Sequence, residues 1–312
     1  MTGSLTLSTE IELGWGTHDR GEYSYFSNRG TKESETLDEL LHLCNKHDIP
    51  ITFDIVGHLL HDSCSGEHEG SYPQGWWNED PGTDAAIDPL FYAPELARRI
   101  SNTETEHEIG THTYSHILCE NVSADTVRHE IERSREVHRE FGLNSPKSIV
   151  FPRHQTPSYE VFSDLGIEVV RRPIEDYYIP ENLARKFVWG VKRTHPTTEL
   201  RKRDGIVETL CTPNPSLSSG FLQTGQTELH PLLKAIPLTI RQRILRQYIK
   251  SAVDRAVNQN GHVHLWTHLF NIANDEQLPP IKSGLKYLAK RRNDGDVTIH
   301  RMCDLPQLVN ND

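Results

Sequence analysis

Apolar and polar positions fall in short blocks along this chain, and the period within each block indicates the element it forms. Residues 5–11 read as the first strand, and Gly14-Trp15-Gly16 turns the chain after it. Leu37, Leu40, Leu41 and Cys44 then recur at helical spacing, with Thr36 as the cap. Residues 50–57 are a short, partly β-branched run closed by Gly57, a buried strand. Residues 62–92, rich in Gly, Pro, Ser, Trp and acid, read as a long inserted loop. A short helix at 94–100 and a strand at 106–110 follow. Ser123 opens a long helix that runs to about Gly142 on Val127, Ile131 and Phe141. Residues 147–151 read as a strand, 159–165 as a helix and 167–170 as a strand. Between 171 and 235 the pattern yields only a strand at 206–210. A helix at 240–258, a strand at 262–267, a helix at 281–291 and a strand at 297–300 complete the chain.

Strands alternating with helices in this rhythm predict a parallel sheet, open or closed into a barrel. In barrels the chemistry sits on loops at the carboxyl ends of the strands, and the polar clusters below all fall at such ends. A chain of 312 residues accommodates one large barrel or two smaller domains. The net charge of −11 excludes a large nucleic-acid-binding face, which needs clustered Lys and Arg. Arg201-Lys202-Arg203 is too short to change that and reads as a solvated loop. No apolar run reaches the ~20 residues of a membrane-spanning helix. The first residues, Met1-Thr2-Gly3-Ser4-Leu5, lack the basic and apolar regions of a secretory signal, so the expected location is cytoplasmic. Five dispersed cysteines without a C-x-x-C pair read as free thiols in a reducing compartment. His61-x-x-Cys64-x-x-x-His68 has ligand types for zinc, but its setting among Ser, Gly and Glu favours a solvated loop.

The strongest local signal is Glu108-Ile109-Gly110-Thr111-His112-Thr113-Tyr114-Ser115-His116. Two imidazoles four apart face one point if the backbone turns helically, and histidine is the commonest nitrogen ligand for zinc-like ions. In a chain with 18 histidines, a chance surface pair also fits this spacing. A catalytic metal site needs a third protein ligand. Glu10 and Glu12, two apart on the first strand, point to the same side and can reach one pocket; an exposed acidic strand edge is the other reading. Phe151-Pro152-Arg153-His154-Gln155 places an Arg at a strand end, where it can fork onto a catalytic carboxylate or form an ordinary salt bridge. In His262-Val263-His264-Leu265-Trp266-Thr267-His268, His268 ends the strand and is best placed for acid catalysis. His262 and His264 read as core residues.

Taken together, these segments resemble the NodB-homology polysaccharide deacetylases, carbohydrate esterase family 4 and its relatives. The first strand ending in Glu10-Ile11-Glu12 resembles the family's Asp-x-Asp or Asp-x-Glu motif, and His112-Thr113-Tyr114-Ser115-His116 matches H-[ST]-x-x-H in full. Residues 50–57 resemble its second strand. Phe151-Pro152-Arg153 resembles the "FPRNQ" form of an intracellular subgroup, and residues 264–271 resemble that subgroup's "HLWxHPxN" ending. The resemblance implies an irregular (β/α)7-type barrel, a single domain over residues 1–312 with the inserted loop at about 62–92. It implies a metal-dependent amide hydrolase that removes the acetyl group from an N-acetylated sugar or surface-polysaccharide precursor. One divalent ion, zinc or alternatively cobalt or manganese, would be held by Glu12, His112 and His116. Glu10 would stand at the place of the catalytic base, Arg153 would anchor it, and His268 would be the general acid. Trp15, Tyr114 and Trp266 lie beside these motifs as candidates to stack on sugar faces. Three departures stand out: Glu10 where the family usually has Asp, Leu269 in place of Pro, and His154 in place of Asn. The Glu10 substitution motivates an alternative, a non-catalytic carbohydrate-binding or assembly relative. A further alternative is another barrel hydrolase that uses His262-x-His264 as its metal pair.

Overall fold

A computed structural model describes residues 2–225 and 229–309. In chain order it begins with β1 (Gly3–Ile11), α1 (Thr31–His47), β2 (Thr52–Ile55), α2 (Pro94–Ser101), β3 (Glu108–Thr111), α3 (Ala124–Glu140), β4 (Ser148–Val150) and β5 (Val169–Pro173). It continues with α4 (Leu183–Lys192), β6 (Arg201–Arg203), β7 (Ile206–Cys211), α5 (Pro231–Lys234), α6 (Leu238–Gln259), β8 (His262–His268), α7 (Leu269–Ile272), α8 (Leu278–Asn293) and β9 (Val297–His300). Seven parallel strands run in the order β2-β3-β4-β5-β7-β8-β1, and β1 pairs back onto β2. The sheet is therefore a closed (β/α)7 barrel. Strand β9 extends it beside the first half of β1, and β6 folds back antiparallel on β7.

Strand β1 shows how the sequence builds this wall. Its side chains alternate between two faces. Leu5, Leu7 and Ile11 join a cluster with Leu245, Ile249 and Val253 of α6, on the outside of the barrel. Ser8 and Glu10 point the other way, and both are reached by Arg171 of β5, three strands further round the barrel. That contact crosses the interior, so the barrel is lined by polar groups rather than by hydrocarbon. Such a lining costs least where a group finds a partner. Ser8 Oγ does: it lies 2.9 Å from Arg171 Nη1 and 2.9 Å from His264 Nε2.

Several boundaries differ from those expected. Helix α1 starts at Thr31 rather than near Thr36, because its polar first turn carries no periodic signal. Glu33 there accepts from Ser27 N–H at 3.1 Å and from the Ser27 hydroxyl. Residues 159–165 hold only a single 3-10 turn, Tyr159–Val161, and β5 extends through two arginines to Pro173. Arg201–Arg203 is an exposed edge strand, not a loop. The 62–92 segment has no helix or strand beyond the isolated bridge Ser63↔Asp84, as an inserted loop should, and although much of it is exposed, a few of its side chains dock on the barrel. Trp77 packs on Trp15 at 5.6 Å, and the side chain of His68 is only 6% exposed. No helix among the described residues is long and apolar enough to cross a membrane.

Candidate active site

Glu10 and Glu12 leave the end of β1 buried, at 3% and 5% exposure, which removes the exposed-edge reading. The chain reverses at once: Leu13 takes φ 45°, a left-handed conformation rare for a bulky residue. The turn brings Gly16 against Glu12, so tightly that a Cβ there would stand 2.1 Å from Glu12 Oε2. Only glycine leaves room for that carboxylate.

His112 and His116 follow β3, but no helical turn brings them together. Thr113 and His116 adopt φ 63° and 62°, so the loop is kinked through the left-handed region. Each such residue costs on the order of 1–3 kcal/mol, which bonds to the neighbouring strand end offset. Gly57 N–H donates to Thr113 O and His58 N–H to Tyr114 O, both at 2.8 Å. His112 Nδ1 lies 2.7 Å from Val150 O. A carbonyl only accepts, so Nδ1 carries the proton and Nε2 presents its lone pair. That Nε2 stands 3.0 Å from Glu12 Oε1, and His116 Nε2 stands 3.4 Å from the same oxygen. The three donor atoms lie within 4.8 Å of one another. Lone pairs and a carboxylate oxygen this close repel unless a proton or a metal cation lies among them. Two imidazoles, one carboxylate and a backbone-fixed tautomer suit a divalent first-row ion.

Beside this set, His268 Nε2 lies 2.9 Å from Glu10 Oε2 and 3.5 Å from Glu12 Oε1. The Asn271 amide holds the other side of the ring, 3.0 Å from Nδ1. Burial alone would raise the Glu10 carboxyl, but the charges of Arg171 and His268 outweigh it and hold it well below the usual range. For His268 burial would lower the pKa, and the charges of Glu10 and Glu12 raise it instead.

The arginine on Glu10 is not Arg153. Arg153 follows β4 in a turn with φ 50° and reaches both oxygens of Asp19, at 2.7 and 2.8 Å. The guanidinium that donates to Glu10 Oε1 belongs to Arg171, wholly buried in β5. An arginine ending the run at 167–170 was the available signal, obscured by the poorly patterned stretch that follows.

These groups floor an open cavity of about 330 Å³, walled by Trp266, Tyr25, Phe270 and Arg153 among others. Of the three aromatic candidates, Trp266 alone lines it. Trp266 Nε1–H donates to Thr212 O at 2.7 Å, and Arg171 lies over its ring at 4.3 Å. Trp15 is fully buried; its Nε1–H donates to Phe91 O at 3.0 Å, so it is a core residue that cannot stack on a ligand. Tyr114 is buried at 4% exposure, with its hydroxyl 3.1 Å from His61 Nε2. Tyr25 and Phe270 occupy the rim instead.

Residues 16–170 match the profile of the polysaccharide deacetylase family. The chain carries a polysaccharide deacetylase domain. It resembles a Mycobacterium smegmatis protein assigned to the polysaccharide deacetylases, with a TM-score of 0.62 and 15% identity over 99% of this chain and 90% of that one. A Pseudomonas aeruginosa PAO1 protein of the same assignment gives 0.58 and 13%, over 97% and 89%. Puue allantoinase gives 0.56 and 13%, also over 97% and 89%. No curated protein matches the sequence. At these identities the structures establish the fold.

The deacetylase profile spans His112, His116 and Arg153, while Glu10, Glu12, Arg171 and His268 lie outside it. Barrel closure brings the two sets together, through Glu10 in register with both Asp54 of β2 and His268 of β8. His262 and His264 take no part. Hydroxyl oxygens occupy all four ring nitrogens: Ser4 and Thr209 on His262 at 3.0 and 3.1 Å, Thr209 and Ser8 on His264 at 2.9 Å each. Burial pushes both pKa values down, that of His262 to about 3. Among the described residues they join no cluster of possible metal ligands, which leaves the metal-pair reading without support.

Proposed function

We propose that this deacetylase domain hydrolyses the acetamide of an N-acetylated sugar, with a divalent metal held by Glu12, His112 and His116. The observation that carries the reading is the convergence of those three donors beside a Glu10–His268 pair, with Glu10, Glu12, His116 and His268 lining one open cavity. Bound there, the ion supplies a Lewis acid that acidifies a water and polarises a carbonyl. Glu10, kept anionic by Arg171, takes the proton from the attacking water. His268 Nε2 then delivers a proton to the departing sugar amine. Its position 2.9 Å from Glu10 lets the proton taken in the first step supply the second. Arg171 keeps Glu10 from swinging out of reach, which matters because a misplacement of about 1 Å can cost ~100-fold in rate. Trp266, Tyr25 and Phe270 offer apolar faces at the cavity wall for the sugar ring.

The test is acetate release from a panel of N-acetylated sugars with added zinc, cobalt or manganese, alongside metal content. The wild type should bind an ion at this centre that His112→Ala/His116→Ala loses, and Glu10→Gln should reduce the rate ~100-fold or more. Ligand binding with no turnover on any sugar or metal would favour the non-catalytic alternative.

A further inference from the structure

The inserted segment gathers a second set of metal-binding side chains that the deacetylase reading does not use. His58 comes from the 3-10 turn Gly57–Leu60 just after β2, and Cys64, His68 and Asp80 come from the insert. One ligand atom from each of the four lies within 4.8 Å of the others. His58 Nε2 is 3.4 Å from Asp80 Oδ2, and Cys64 Sγ is 3.7 Å from His68 Nε2. A tetrahedron with zinc–nitrogen and zinc–sulfur bonds of about 2.0–2.3 Å has edges of roughly 3.3–3.7 Å. One pair, His68 Nε2 to Asp80 Oδ2 at 2.5 Å, is at hydrogen-bond distance and must open.

Two independent features point to a ligand. His58 is fully buried, and neither of its ring nitrogens has a hydrogen-bond partner. A buried imidazole left unsatisfied is costly, and Nε2 is aimed at the other three donors. The donors themselves are held from behind. Asp80 Oδ1 accepts from Gly82 N–H at 3.1 Å and from the Tyr92 hydroxyl, which leaves Oδ2 facing inward. Burial pushes the Cys64 thiol pKa up, and Gly66 N–H, 3.4 Å from Cys64 Sγ, opposes that shift. The His68 ring stacks on Trp77 at 3.7 Å and 16°.

We infer that His58, Cys64, His68 and Asp80 form a structural zinc site that staples the insert to the barrel, separate from the centre at Glu12, His112 and His116. A thiolate with two imidazoles and a carboxylate is a closed, four-protein-ligand set, the pattern of structural rather than catalytic zinc. The charges of thiolate, carboxylate and dication cancel, so the site can be buried. Binding displaces the thiol proton of Cys64, which leaves to solvent, and the proton between His68 Nε2 and Asp80 shifts to the far ring nitrogen of His68. Long loops without regular structure are uncommon in compact domains, and a metal cross-link would hold this one against the barrel. Trp76, four residues before Asp80, donates Nε1–H to Ser115 Oγ at 2.8 Å, so a fixed insert also braces the residue next to His116. His61, the histidine paired with Cys64 and His68 in the sequence motif, is engaged with Tyr114 instead.

The experiment loads metal-stripped full-length protein with cobalt, because this site holds a thiolate and the candidate active centre does not. Wild type should bind about two ions per chain and show the near-ultraviolet thiolate-to-cobalt charge-transfer absorption. That absorption should persist in His112→Ala/His116→Ala and vanish in Cys64→Ser. Zinc should also slow alkylation of Cys64 in the wild type, about tenfold or more, a readout that needs no variant to fold. Cobalt-loaded wild type without the absorption, absorption that survives Cys64→Ser, or alkylation of Cys64 indifferent to zinc would each overturn the assignment.

Discussion

Arg171 donates to the Glu10 carboxylate through Nη2 while its guanidinium lies over the Trp266 ring at 4.3 Å, so one buried side chain ties the acid of β1 to the cavity wall. Removing one member of a buried pair leaves the other charged and unpaired, at a cost of about 3–5 kcal/mol. Arg171→Met should lose that much in a denaturant titration, together with acetate release. Arg153→Met should lose about 0–1 kcal/mol, since its side chain is 36% exposed and its pair with Asp19 is screened by solvent. Equal losses in the two variants would contradict the assignment of Arg171 as the anchor.

Gly16 tests the candidate metal centre without touching a ligand. Its φ is ordinary, so alanine strains no backbone angle, but the new Cβ would fall 2.1 Å from Glu12 Oε2. The carboxylate must move, and disturbing the packing behind a metal ligand in this way weakens metal affinity about 10–100-fold. A zinc titration of Gly16→Ala should show that loss with the melting temperature little changed. Unaltered affinity would mean that Glu12 is not a ligand.

Much of this site was legible because its signals are local. A strand ending in Glu10-Ile11-Glu12, two histidines four apart and a histidine closing β8 each announce themselves within a few residues. What failed was non-local. Arg153 and Arg171 both follow apolar runs, and nothing in the linear chain says which one crosses the barrel. That depends on parity and register: Arg171 lies within β5, level with Val150 and Thr209, whereas Arg153 sits past the end of β4 in a left-handed turn. Trp15 looked like a ligand-stacking residue because it neighbours Glu12. Its burial is decided by Phe91 and Trp77, more than sixty residues away. Asp80, twelve residues beyond His68, lay outside the short spacing of the Cys64–His68 motif.

Glu130 of α3 bridges the helix to the histidine loop. Its carboxylate accepts Ser115 N–H at 2.8 Å, Ser115 O–H at 2.7 Å and Tyr72 O–H at 2.8 Å, all beside His116. Glu130→Ala leaves these donors without a partner, at about 1–3 kcal/mol for each one left buried and unsatisfied. The variant should be strongly destabilised and should bind zinc more weakly at the His112–His116 centre, whereas Glu130→Gln, which keeps an acceptor in place, should be milder on both counts. A zinc affinity unchanged in a folded Glu130→Ala protein would show that this carboxylate does not position His116.

Asp54 offers a test of the barrel's polar interior by pH. It is fully buried in β2, neither carboxylate oxygen has a hydrogen-bond partner, and it lies in register with Glu10. Burial raises its pKa well above the usual value; Arg171 opposes the shift, and the nearby charges of Glu10 and Glu108 add to it. An acid with a raised folded pKa is protonated in the native state while its unfolded counterpart is ionised above about pH 4. The folded protein then binds more protons than the unfolded one, so stability falls as pH rises from about 4 towards the folded pKa. The slope for one such group is about 1.4 kcal/mol per pH unit. Asp54→Asn removes the titrating group and keeps the shape, so it abolishes this contribution. In denaturant titrations the variant and wild type should nearly coincide near pH 4, and the variant should become progressively more stable than wild type towards neutral pH. A variant that instead loses stability relative to wild type as pH rises would mean that Asp54 is ionised and shares Arg171 with Glu10.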